Sequence, residues 1–491
     1  MTGNRKPTMY DTTGSAANRK LFVLVLAVFQ IASILQTCQG TNDIRRSSRL
    51  EMSRLNLGKT NNAKEEVLGD VGGPERYSGY FKLKRTYDAH MFFFLFEARK
   101  DAENAPVVLW MTGGPGCSSE LAVFYENGPY TITEDLSLEE TKYGWDNSAT
   151  MIYVDQPINT GFSWSEREED RCYDEECVAS DMLDFLQALF EEKPEFKSRD
   201  FYVTGESYAG HYVPAVSSKI FEASRSGEIP FPIRFKGLAI GNGLTDPAIQ
   251  YGAYPEFAYQ HGLLAKSSRD RMNAFFPACQ FALQACDGFS IATECYMAVM
   301  FCQAVMFTPI LVENPNINVY DYRKSCEGDL CYDFSRVEEY LNQPKVRKEL
   351  GVGDRQWEEC NMSVHEDMMS DWGHSFDGVL PKMLEAGVRV MIYAGDKDII
   401  CNELGNRQWV DALEWKGSEE WEQADEATWY VDDEEAGTVT EAGPLSFVSV
   451  KDAGHMVPMD QPKHALDMIT KFINGESLVH SSSMTSRIIE Q

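Results

Sequence analysis

FYVTGESYAG, residues 201–210, is the segment from which the architecture of this chain can be argued. FYVTG (201–205) has the apolar, β-branched and aromatic make-up of a buried strand, and it runs directly into Gly205-Glu206-Ser207-Tyr208-Ala209-Gly210 and then into a segment able to start a helix. A serine between small residues at a strand-to-helix turn reads as a nucleophile elbow, in which the tight backbone lifts the hydroxyl above the sheet edge. The fifth position is Ala209 rather than glycine, so the pattern matches loosely, and on this motif alone a chance loop serine reads nearly as well.

Outward from the elbow, VVLWM (107–111), MIYVD (151–155), GLAIGN (237–242) and VRVMIYAG (388–395) are short apolar runs of the kind that form parallel strands buried on both faces. Folding is expected to begin near Tyr77, where the alternation in SGYFKL and the dense run MFFFLFEA (91–98) suggest paired strands. Val178 to Glu192 carries Leu183, Leu186, Leu189 and Phe190 on one side of an amphipathic helix. Strands alternating with helices predict an α/β fold, a mostly parallel central sheet with helices on both faces. The alternation stops after Thr245 and resumes near Trp372, and the gap holds Cys279, Cys286, Cys295, Cys302, Cys326 and Cys331 among its cysteines. That composition shift predicts an inserted, mainly helical cap over the carboxyl edge of the sheet, where open α/β folds place their sites. The acidic stretches Glu166–Glu176 and Glu419–Glu435 read as solvated loops or turns.

With 491 residues and 43% hydrophobic content the chain can bury a large core, and its formal charge of −31 argues against binding nucleic acid or anionic membranes. Residues 21–35 (LFVLVLAVFQIASIL) follow Arg5, Lys6, Arg19 and Lys20 and precede a polar stretch, which is signal-peptide order, with cleavage expected near Gly40. The run is short for a membrane span, although the polar leader leaves a signal anchor open, and no stable membrane association is expected after its removal. Loss of residues 1–40 removes more basic than acidic groups, so the mature chain is more acidic still. The expected organisation is a signal at 1–40, a leader or propeptide at 41–75, core at 76–245, cap at 246–371, core again at 372–478 and a tail at 479–491. Of 12 cysteines, Cys38 leaves with the signal, and the odd remainder implies one unpaired thiol or one bridge between chains. Asn361-Met362-Ser363 is a glycosylation acceptor that secretion would make usable.

Two loops nearer the C-terminus strengthen the reading of the elbow. VMIYAGDKD ends its strand at Gly395 and presents Asp396 and Asp398, and VKDAGHMVPMDQP places His455 in a glycine-containing loop before a helix at His464–Ile473. Serine, acid and histidine in that order fit a relay in which imidazole takes the hydroxyl proton and a carboxylate fixes its tautomer. Taken singly, Asp398 could cap a helix and His455 could be an ordinary loop histidine; all three together are improbable by chance. WMTGGPGCSS (110–119) adds a strand followed by Gly113-Gly114-Pro115-Gly116, a backbone free to aim an amide at a developing oxyanion, though a purely structural glycine turn fits this segment equally.

In combination, WMTGGPGCSSELAVFYENGP, VDQPINTGFSW, TGESYAGHYVP, IGNG, AGDKDIICN and DAGHMVP resemble the serine carboxypeptidases, across Trp110 to Pro458. The resemblance implies an α/β-hydrolase fold with Ser207 as nucleophile, His455 as general acid and base, Asp398 as its orienting partner, and an oxyanion hole from the amides of Gly114 and Tyr208. It implies a serine-type carboxypeptidase that binds peptide or protein C-termini, their carboxylate held by Glu206, Glu126 and a glycine-loop amide at Gly113. Two glutamates beside an anion cannot both be ionised, so activity should favour acid pH. Thr112 stands where many members have asparagine, as in some plant-type members, and can still donate one hydrogen bond.

The same resemblance places Trp372, Ile400, Cys401, Tyr208 and Met456 near the substrate, makes Cys401 the unpaired, mercurial-sensitive thiol, and implies the bridges Cys279–Cys302, Cys286–Cys295, Cys326–Cys331, Cys117–Cys360 and Cys172–Cys177. No cofactor or metal is expected, and a homodimer is left open. The expected location is the secretory pathway, ending in a vacuole, a lysosome or the extracellular space. Two other readings stand beside this one: an acyltransferase on the same scaffold, and a non-catalytic scaffold or binding protein.

Overall fold

A computed structural model describes residues 75–288, 292–328 and 330–479. The signal and leader expected up to residue 74, and the tail from residue 480, lie outside the described residues.

The apolar runs form a 10-stranded sheet in the order β1-β2-β6-β3-β7-β8-β9-β12-β11-β10. β1 (Arg76–Lys82) and β2 (His90–Phe96) are an antiparallel pair at one edge. β3 (Val107–Met111), β6 (Thr150–Val154), β7 (Phe201–Glu206), β8 (Phe235–Gly241), β9 (Arg389–Gly395) and β12 (Leu445–Val450) run parallel through the middle. β10 (Ala427–Val431) and β11 (Glu434–Ala442) finish the other edge antiparallel, and β4 (Tyr130–Ile132) with β5 (Leu138–Glu140) forms a separate hairpin.

Strand alternation sends neighbouring side chains to opposite faces, so the central strands must be apolar throughout. Along β3, Val107, Leu109 and Met111 pack with α1 (Glu175–Glu192) and α2 (Ala209–Ser226), while Val108 and Trp110 join the opposite core. The C-terminal helix Pro462–Asn474 closes that second face with Ala465, Met468, Ile469 and Phe472.

Between β8 and β9 the described residues form helices and turns. Two of them, α3 (Lys266–Gly288) and α4 (Ala292–Cys302), are cross-linked by Cys279–Cys302 and Cys286–Cys295. α4 belongs to the apolar stretch Thr293–Glu313, long and apolar enough to cross a membrane by composition and partly buried in the protein.

Two expectations are corrected. Glu419–Glu435 is largely ordered structure, the helix Ser418–Glu422 followed by β10 and the first residues of β11, because Trp421, Trp429 and Val431 anchor it while its acids face water. Glu166–Glu176 is not wholly solvated. Asp170 is buried, accepting the amides of Tyr87 and Asp88, and Glu175 is buried in the first turn of α1. Local charge density hid these positions, since burial of an acid depends on partners elsewhere in the chain.

Candidate active site

The site forms where β3, β7, β8, β9 and β12, neighbours in the sheet, end on the same edge. Ser207 sits at φ 66 between β7 and α2, a left-handed conformation that non-glycine residues adopt only under constraint. The constraint is crowding: a Cβ on Gly205 would lie 2.5 Å from the Met111 carbonyl oxygen, and one on Gly210 would lie 2.3 Å from that of Leu244. The glycine closing the turn is thus Gly210, which explains why Ala209 is tolerated at the fifth position of the motif.

β9 delivers Asp398, which is wholly buried and accepts Nδ1 of His455 at 2.8 Å, the Ile400 amide at 3.0 Å and the Cys401 amide at 3.2 Å. Asp396, the other acid of that loop, turns away to Lys397. His455, in the loop after β12, is held by its own amide to the Tyr320 carbonyl at 2.7 Å, and its ring lies 5.0 Å from that of Tyr320. Nε2 of His455 is buried with no hydrogen-bond partner among the described residues. His455 and Ser207 line one cavity of about 250 Å³. Hydrogen bonds of such relays are often long until substrate binds.

The glycine loop after β3 presses on the elbow. A Cβ on Gly113 would come 2.5 Å from the Tyr208 amide nitrogen, so only glycine fits there. The amides of Gly114 and Tyr208 are free of hydrogen bonds among the described residues, available to a ligand in the cavity that both residues line. Thr112 lines it too; its hydroxyl accepts the Trp110 indole at 3.0 Å, which leaves the hydroxyl proton to donate.

Glu206 precedes the serine, and Glu126 ends a π-helical turn, Ala122–Glu126, marked by the Asn127 amide reaching back to the Ala122 carbonyl at 3.0 Å. Both glutamates are buried and in hydrogen-bonding contact with each other. Burial pushes Glu126 up to about 7; burial and then the Glu126 charge push Glu206 well above the usual carboxylate range. Apart from each other, Oε1 and Oε2 of Glu126 and Oε2 of Glu206 have no partner among the described residues.

Trp372, Ile400, Cys401 and Met456 also line the cavity. The Tyr208 ring packs 5.3 Å from Trp372 and 4.5 Å from His211. The thiol of Cys401 is free and buried, raised well above its ordinary range by burial and then by the Asp398 charge. The other ten cysteines among the described residues pair as the resemblance implies: Cys117–Cys360, Cys172–Cys177, Cys279–Cys302, Cys286–Cys295 and Cys326–Cys331. Asn361 caps the helix Met362–Met368 through the Ser363 and Val364 amides, and its Nδ2 donates to the Asn159 carbonyl at 2.9 Å.

Sequence reasoning missed two residues here. Nδ2 of Asn242 donates to Asp398 at 2.8 Å, although IGNG was in view without a role for its asparagine. Tyr332 lines the cavity with an unpartnered buried hydroxyl, and nothing in its local sequence signals it.

The family model described as serine carboxypeptidase matches residues 70–475. The chain belongs to the serine carboxypeptidase family. Serine carboxypeptidase 3 of Oryza sativa subsp. japonica is 48% identical over 409 residues, covering 83% of this chain and 80% of the relative. Serine carboxypeptidase-like 49 of Arabidopsis thaliana is 46% identical over 424 residues, covering 85% and 81%. Among solved structures, Kex1(delta)p, a prohormone-processing carboxypeptidase from Saccharomyces cerevisiae, superposes with a TM-score of 0.74 at 26% identity, covering 85% of this chain and 95% of that one. The protein is therefore a serine-type carboxypeptidase on an α/β-hydrolase fold, and its disulfides are compatible with the secretory pathway.

Proposed function

We propose that this carboxypeptidase removes single residues from peptide C-termini through an acyl-enzyme, at acid pH. The observation that carries the reading is the buried Glu126–Glu206 pair beside Ser207, which forms no ion pair with Lys, Arg or His among the described residues. With a proton on at least one glutamate the pair can donate to a terminal carboxylate, and with both protonated it does not repel it. Thr112 and the Gly113 amide complete that donor set.

Held there, the last peptide bond faces Ser207. Its oxygen attacks the carbonyl carbon as His455 Nε2 takes the hydroxyl proton, and Asp398 stabilises the resulting imidazolium. The oxyanion accepts the Gly114 and Tyr208 amides. The C–N bond breaks as imidazolium returns its proton to the leaving amine, leaving an ester on Ser207. Water, deprotonated by His455, then adds to that ester and releases the shortened peptide. The Trp372, Ile400 and Tyr208 surfaces suit an apolar side chain on the acyl side of the bond. An acidic vacuolar, lysosomal or extracellular setting fits the protonated pair.

The test is to incubate purified protein with a peptide from acid to neutral pH and follow its mass. Stepwise loss from the C-terminus, fastest in acid, is expected. Cleavage within the chain, or acyl transfer from glucose esters without peptide shortening, would overturn the reading.

A further inference from the structure

A second pair of carboxyl groups, outside the peptide-cleavage steps, lies under the glycine loop. Glu120 follows the loop and Asp155 follows β6, and both are 0% exposed. Asp155 is an acceptor at both oxygens: Oδ1 takes the Ser119 amide at 3.2 Å and Oδ2 takes the Phe162 amide at 2.7 Å. Room for that carboxylate exists because residue 161 is glycine, at φ +52; a Cβ there would lie 2.2 Å from Oδ2.

Glu120 is differently placed. Its Oε2 accepts the Ser118 hydroxyl, which in turn accepts the Glu120 amide at 3.2 Å and the Trp357 indole at 2.9 Å. Its Oε1 has no donor in reach among the described residues, and its carboxyl is in hydrogen-bonding contact with Asp155. An oxygen in such surroundings needs a proton of its own to be satisfied. The titratable group that faces the pair is Tyr80, whose phenol donates to the Phe162 carbonyl at 2.9 Å; Arg355 acts on that phenol and lies over the Trp164 ring at 3.7 Å. Neither forms an ion pair with the two acids among the described residues.

The pair bears on the loop through Ser119. Its hydroxyl donates to the Val154 carbonyl at 2.7 Å and accepts the Thr112 amide at 3.2 Å, so both ends of the glycine loop are fastened to the end of β6. With Gly113 packed against Tyr208 so closely that a Cβ would not fit, displacement of the loop by a few tenths of an ångström moves the Gly114 amide relative to Ser207.

We infer that Glu120 and Asp155 are positioning residues for the known reaction: a protonated Glu120 donates to an ionised Asp155, and the shared proton locks the glycine loop so that the Gly114 amide stays aimed at the oxyanion. Burial, then the Asp155 charge, hold the Glu120 carboxyl well above the usual carboxylate range, in agreement with the hydrogen-bond accounting. The inference rests on the reading of Gly114 as an oxyanion donor.

The two acids should respond oppositely to their amide isosteres. Glu120→Gln puts an N–H where the carboxyl proton was, and kcat and KM should stay within about 2-fold of the unaltered enzyme. Asp155→Asn must point its NH₂ at the Ser119 or Phe162 amide or at the Glu120 proton, and kcat should fall about 10- to 100-fold with a smaller change in KM. Thermal unfolding of each variant separates loop positioning from general destabilisation. The infrared difference between unaltered protein and Glu120→Gln at neutral pH should contain a carboxylic-acid C=O band. That readout does not depend on turnover, so it tests the pair even if the peptidase reading fails, and it decides the matter if Asp155→Asn does not fold. A carboxylate band in its place, or equal loss of kcat in both variants, would overturn the proposal.

Discussion

Nδ2 of Asn242 donates to Oδ2 of Asp398 at 2.8 Å, the same oxygen that receives the His455 imidazole. Asn242 reaches it from the end of β8 at φ 40, and its Oδ1 accepts the Gly395 amide at 3.1 Å, so one side chain ties two strand ends to the orienting acid. A hydrogen bond to a charged group contributes roughly 1.5–3 kcal/mol. Asn242→Ala should lower kcat by about 10-fold or more with little change in KM. Unchanged kcat would mean that the two amides on Asp398 suffice to orient it.

Replacement of Ser207 by Ala should remove nearly all turnover of blocked dipeptides, and Asp398→Asn should cost about 10⁴-fold in kcat by favouring the wrong histidine tautomer. Persistence of turnover in a homogeneous Ser207→Ala preparation would make the assigned nucleophile wrong.

The acid pair sets a pH dependence whose sign follows from its protonation. Glu126 is raised to about 7 and Glu206 well above the usual carboxylate range, so below about 7 both carry protons, and as pH rises through that value the pair gains a charge that repels the substrate carboxylate. KM for peptides should therefore rise through neutrality. Glu126→Gln, a permanent neutral donor, should flatten that rise, and a KM profile identical to that of the unaltered enzyme would dissociate Glu126 from carboxylate binding.

Cys401 lines the cavity as a buried, protonated thiol. Mercurials, which bind thiols strongly, should block activity, whereas alkylation by iodoacetamide, which needs the thiolate, should be slow at neutral pH. Cys401→Ser should keep activity and lose mercurial sensitivity. Retained sensitivity would locate the reactive group elsewhere.

Cys117–Cys360 joins the glycine loop to the segment before β9 across a sequence separation of 243. Its removal in a Cys117→Ala/Cys360→Ala variant should destabilise the protein by roughly 2–5 kcal/mol, read from denaturant unfolding. A smaller loss than that would mean the surrounding contacts hold the loop unaided.

Much of this molecule was legible in order along the chain. The central strands are apolar runs because both of their faces are covered, and Ser207, Asp398 and His455 stand out because each follows such a run in a loop with small residues. β10 and β11 were obscured because the exposed acids Asp425, Glu426, Asp432, Asp433, Glu434 and Glu435 stand around inward residues such as Trp429, Val431 and Val439. Asn242 was visible only as part of a motif, because an asparagine after a strand has many ordinary uses in turns.

Composition and local pattern were enough for the α/β class, the helical cap, and the order serine, acid, histidine, while the choice of Asp398 over Asp396 came from the family resemblance. Those features depend on periodicity and turn chemistry, which act over a few neighbouring residues. Which acids carry protons and how tightly the glycine loop meets Tyr208 emerged only on folding. Protonation and close packing depend on desolvation and on partners brought from distant parts of the chain, and no local stretch contains that information.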